Sequence, residues 1–263
     1  MIKKINMILI LLLLLFISIG SVCAADDFNE TLSIDEVSDN GGEILASEYT
    51  VTPANYHIYF SSNGEMISSS VNAGDTIVLS GDFSDKDFII NKQINLTSAG
   101  ATIKNGIVKL TKDASGSIIS DLKIRNTQDF HQGIYLLGAT NCEIYNNDII
   151  NQGQSSYAIT LIEGADYNHL YSNKVQCMGA DYGHGSRSTS VVLLGRANNN
   201  VIEYNDIKSD DANAVYLSSY PGGEFKGGES YNNIIRFNDI QYMVNVTSWA
   251  YGIQLMGGNN TVE

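Results

Sequence analysis

The chain has 263 residues, of which 15 are basic and 29 acidic, a net charge of −14, and 43% are hydrophobic. That is enough chain to bury a continuous core in one elongated domain or two small ones. The acidic balance speaks against nucleic acid and anionic lipid as partners, since both need a basic face, and fits a solvated acidic surface, with cation binding left open.

Residues 1–25 read as a secretory signal peptide. Lys3 and Lys4 form the basic start, Ile5 to Ile19 is almost wholly apolar, and the small residues Cys23, Ala24 and Ala25 precede Asp26 and Asp27. A retained membrane anchor is the alternative, because the apolar run approaches the roughly 20 residues of a span. A lipidated Cys23 fits less well, since bulky Val22 stands before it. Cleavage removes two lysines and no acid, taking the charge from −14 to −16. The expectation is an exported chain with no membrane insertion after signal removal.

Residues 26–54 are acidic and without sustained periodicity, and read as a flexible leader. From 55 to 100 the chain turns β-rich. Tyr56 to Phe60 alternates, Asn63-Gly64 is a hairpin signal, and Thr76 to Leu79 is a short strand. Cys142 and Cys177 are the only cysteines beyond the signal. Export permits a disulfide, but the pair reads equally as two separate buried thiols at different positions around neighbouring coils.

Internal repetition decides the fold class over 101–263. In Ile119–Ile124, Ile144–Ile149, Leu170–Val175, Ile202–Ile207 and Ile235–Ile240 two aliphatics stand five apart. In the last four, Asn147, Asn173, Asn205 and Asn238 sit two residues before the second aliphatic. Alternating pairs intervene: Val108/Leu110, Ile134/Leu136, Ile159/Leu161, Val192/Leu194, Val215/Leu217 and Ile253/Leu255. The second aliphatic recurs in steps of 25, 26, 32 and 33 residues while the five-residue spacing holds. A solenoid has this pattern, with strands in register and insertions confined to the edges. The spacing predicts four inward aliphatics per coil and an asparagine ladder at the sharp turn, where Asn tolerates the left-handed conformation.

The words YNNDI, YSNKV, EYNDI and RFNDI, each with an upstream alternating strand, resemble the repeats of right-handed parallel β-helix proteins. That group includes NosD-like surface proteins, pectate lyases and the adhesin-like surface proteins of methanogenic archaea. Residues 73–79 and 89–96 resemble its N-terminal capping coil. The resemblance runs from about 55 to the end and implies an all-β, right-handed parallel β-helix. At the far end, Gly258 to Glu263 repeats a strand entry, which reads as a stop in mid-coil, as in a fragment of a longer surface protein.

Enzymes of this fold family hydrolyse or eliminate uronate polysaccharides. Gly183-His184-Gly185 and Asp210-Asp211 resemble two pieces of the hydrolase site, and Asp181 and Arg187 would join them. The order of the two pieces is reversed, and no Arg-Ile-Lys segment follows. The expectation therefore leans away from catalysis. Asp210, Asp211, His184 and Arg187 would be the catalytic set if there were one, with two carboxylates facing across the sugar. Calcium would come only with the lyase resemblance. No metal or other cofactor is expected, since His57, His131, His169 and His184 are scattered.

Loops at 176–190, 218–230 and 241–251 carry Tyr182, Tyr220, Phe225, Tyr242, Trp249 and Tyr251. Aromatic faces flanked by polar groups suit sugar rings, although aromatics also serve as loop anchors. The sequons at Asn29, Asn95, Asn245 and Asn259 fit export. The reading is a secreted, surface-associated adhesin-like protein that contacts glycans or other surface polymers, with a polysaccharide lyase or hydrolase as the alternative.

Overall fold

The computed structural model describes residues 46–153, 156–178, 190–210, 213–218, 228–243 and 251–263. They form a right-handed parallel β-helix of three parallel sheets. The chain visits the sheets in a fixed order. One coil runs through Ile118–Ser120 in sheet one, Lys123–Asn126 in sheet two and Gln132–Leu137 in sheet three, then enters the next coil at Glu143–Tyr145. Sheet one has nine strands, and sheets two and three have seven each.

The register follows the aliphatic spacing. Ile119, Ile144, Leu170, Ile202 and Ile235 align in sheet one. Ile124, Ile149, Val175, Ile207 and Ile240 align in sheet two. In sheet three Val108/Leu110, Ile134/Leu136, Ile159/Leu161, Val192/Leu194 and Val215/Leu217 align. Ile253, aligned with Val215, continues that column. One coil buries Ile144, Ile149, Ile159 and Leu161, none more than 1% exposed. At about 2 kcal/mol each, such layers account for the core. The five-residue spacing is a geometric demand. Two inward residues on adjoining short strands must span a turn that leaves only the middle residue of each three-residue sheet-one strand, from Ile144 to Ile235, facing in.

That turn departs from expectation in one respect. The left-handed residue is the one before the ladder asparagine: Asn146, Ser172, Tyr204 and Phe237, with φ of 55°, 56°, 56° and 54°. The ladder asparagines themselves point inward. Asn147 Nδ2 donates to Asn173 Oδ1, Asn173 Nδ2 to Asn205 Oδ1 and Asn205 Nδ2 to Asn238 Oδ1, each at 2.9 Å. A second ladder, Asn168, Asn200, Asn233 and Asn260, lines the turn from sheet three back to sheet one. It too is preceded by left-handed residues, Tyr167, Asn199, Asn232 and Asn259.

The helix begins earlier than expected. Glu48–Val51, inside the stretch read as leader, is the first strand of sheet one and pairs with Thr76–Leu79. Asp75 fixes this start by accepting backbone N–H bonds from Ser47 and Asn72, each 2.7 Å, which hold its carboxyl below the usual range. Tyr56–Tyr59 is a helical turn rather than a strand. The hairpin signal does close the chain back, through an antiparallel bridge from Phe60 to Met66 with Gly64 at φ 82°. Tyr56, Phe60, Phe83 and Phe88 pack with ring centroids 5.1–6.3 Å apart and fill the core of the first coils. Cys142 and Cys177 are buried thiols in different columns. Burial pushes both up, Cys177 to about 12.

Candidate functional site

Each of the sheet-one strands over coils 143–236 has three residues, so the first and third face outward. The third-residue column reads Ser120, Tyr145, Tyr171, Glu203 and Arg236. The first-residue column beside it reads Ile118, Glu143, His169, Val201 and Ile234.

These outward groups are interlinked. Tyr145 and Tyr171 stack with centroids 4.9 Å apart and planes 16° from parallel. The Tyr171 hydroxyl donates to Glu143 Oε2 at 3.1 Å, and burial together with that carboxylate pushes its pKa up to about 12. His169 Nε2, 2.8 Å from Glu203 Oε1, carries the proton of that bond. Arg236 Nε donates to Glu203 Oε2 at 2.6 Å. The Arg236 guanidinium, followed by His169, holds the Glu203 carboxyl below its ordinary range against the opposing effect of burial.

One residue further, at the left-handed turn, stand Tyr204 and Phe237. They stack at 5.3 Å and 25° and are 59% and 54% exposed. The Arg236 guanidinium lies 5.6 Å from the Phe237 ring centre. Tyr145, Tyr171, Tyr204 and Phe237 thus mark four successive coils with aromatic rings, a track of roughly 14 Å at the usual strand spacing. Bulky residues rarely hold positive φ. Two of them in adjoining coils, exposed and stacked, are placed for the surface, because the core gains nothing from them.

Beyond the turn, sheet two opens with the column Lys123, Asp148, Lys174, Asp206 and Asp239. Asp148 is paired with Arg125. Asp206 and Asp239 are direct neighbours. Among the described residues no group of three or more His, Cys, Asp or Glu is arranged to hold a metal ion.

Of the residues singled out in the sequence, Asp210 ends the strand Asp206–Asp210, in register with Met178 and Met243 rather than in a turn. Asp181, His184, Arg187 and Asp211 lie outside the described residues, as do Tyr182, Tyr220, Phe225 and Trp249. Tyr242 is placed by its backbone, opposite Ser209. Tyr251 is exposed, and its backbone N–H donates to Asn213 Oδ1 at 2.8 Å. The sheet-one track escaped sequence reading, yet its signal is in the repeat words. Counted from the ladder asparagine, the aromatic stands two residues before it in the Tyr145 and Tyr171 words, and one before it in the Tyr204 and Phe237 words.

Compared with known proteins, the chain matches no family model, no curated protein and no solved structure.

Proposed function

We propose that this chain is a secreted, surface-associated β-helix that contacts glycans through the outer face of sheet one. The observation that carries the reading is the aromatic track from Tyr145 to Phe237, bordered by Glu143, His169, Glu203 and Arg236. Ring faces take the C–H faces of sugars, while carboxylate, imidazole and guanidinium groups take their hydroxyls. A rigid parallel scaffold holds these groups without ordering cost on binding. The signal-like residues 1–25 support the exported setting, and the reversed order of the Gly183-His184-Gly185 and Asp210-Asp211 pieces, with no Arg-Ile-Lys segment after them, favours a binding over a catalytic role.

The test is retention of the purified mature chain on a panel of neutral, amino and uronate polysaccharides, with released reducing ends and unsaturated uronates followed in parallel. Retention without cleavage is expected, reduced at least about tenfold when Tyr145→Ser and Tyr171→Ser are combined, two aromatic contacts being worth on the order of 0.5–1.5 kcal/mol each. Serine already occupies this column at Ser120, so the double variant keeps the fold. Cleavage that disappears with Asp210→Asn or Asp211→Asn would replace binding with catalysis.

A further inference from the structure

We propose that the step between Ser172 and Tyr204, with Asp206 and Asp239 beside it, is a binding site for a protonated amino sugar. The proposal rests on the glycan-contact reading and names the class of glycan.

Ser172 and Tyr204 are successive residues of the left-handed column, in register because Tyr171 pairs with Glu203 and Lys174 with Asp206. One face of Tyr204 is covered by Phe237. Its other side lies toward the coil of Ser172, whose side chain is a single hydroxymethyl group. Coils are spaced by roughly 4.8 Å, about the thickness of one inserted ring. The Tyr204/Phe237 stack can therefore be extended by one ring over Ser172.

The second observation is electrostatic. Asp206 and Asp239 stand directly opposite each other on adjacent strands, an arrangement that is destabilising for like charges. Asp206 Oδ1 is buried and accepts no hydrogen bond among the described residues, whereas such atoms are normally satisfied. Lys174, on the other side of Asp206, is exposed and forms no ion pair with it. Glu203, by contrast, is already neutralised by Arg236 and His169. A cation at this point balances the two neighbouring carboxylates. Only the Asn205/Asn238 ladder turn separates the two aspartates from the aromatic pair. A neutral sugar would satisfy the ring and give the carboxylates hydroxyl donors while leaving their charge unbalanced, and a lysine side chain would balance the charge without filling the ring step. A pyranose bearing an ammonium group satisfies both.

The experiment is calorimetric titration of the mature chain with a glucosamine oligomer, the N-acetylglucosamine oligomer of equal length, and a lysine-rich peptide of equal charge. The glucosamine oligomer is expected to bind at least about tenfold more tightly than either of the others, with cation–π and charge contributions acting together. Tyr204→Asn and Asp206→Asn should each weaken it roughly tenfold. Asn already holds the Tyr204 column at Asn146 and tolerates positive φ, so the first variant should melt no lower than the parent. Equal binding of the N-acetyl form would overturn the amino-sugar assignment and leave glycan contact standing. Equal binding of the peptide would reduce the site to bulk charge and overturn it as well. Binding of none of the three, together with no retention on the wider panel, would overturn both readings.

Discussion

Asn173 Oδ1 accepts from both the backbone N–H and the Nδ2 of Asn147, at 3.1 and 2.9 Å. Its own Nδ2 donates to the Ile144 carbonyl and to Asn205 Oδ1, at 2.8 and 2.9 Å. A single side chain thus satisfies groups in the coils on both sides of it. Asn173→Ala leaves the buried Asn147 N–H without its acceptor and breaks the ladder in the middle. With about 1–3 kcal/mol for each buried group left unsatisfied, the expected loss is about 3 kcal/mol in denaturant unfolding. A loss no larger than that of an exposed Asn→Ala control would mean that the ladder adds nothing to stability. The assignment of the left-handed turn to these asparagines failed for a physical reason. The amide is needed inward for the ladder, so the preceding residue must carry the positive φ. In Tyr204 and Phe237 that residue is not one whose backbone preference would announce it.

At the scale of the strand, sheet one shows what a three-residue element allows. Its middle residue is committed to the core, which is why the aliphatics recur so regularly and why the register was legible from spacing alone. Its two outward residues answer to no such demand, so their side chains are legible only once the coils are stacked. Glu143, His169, Glu203 and Arg236 carry no motif in the linear chain, yet they form one patch connected through Tyr171, which bonds Glu143 and packs on the His169 ring. Its acid behaviour is predictable. The folded-state pKa of Glu203 lies below the ordinary 4.5, so its pairing stabilises the fold at pH values above 4.5 and is lost as pH falls through the depressed value. Melting temperature should drop over that acidic window, and Glu203→Gln should flatten that part of the curve while costing stability at neutral pH. Parallel acid curves for parent and variant would show that the Glu203 pair contributes no stability.

For the molecule as a whole, parallel stacking makes stability a matter of nearest neighbours. Each coil touches the ones before and after it, and the columns of aliphatics run through all of them. Ile207, fully buried between Val175 and Ile240, tests whether this is so. Ile207→Asp removes about 2 kcal/mol of apolar burial and puts an unpaired charge in the core, more than one coil can absorb. Hydrogen exchange should show lost protection around Val175, Ile207 and Ile240. The first coils, filled by Tyr56, Phe60, Phe83 and Phe88, should stay protected, because their contacts do not pass through Ile207. Ile207→Val should cost only about 0.5–1.5 kcal/mol and leave the exchange pattern unchanged. An Asp variant that melted like the parent would place position 207 outside the core. One that lost protection uniformly from Val51 to Ile235 would show that the solenoid unfolds as a single unit.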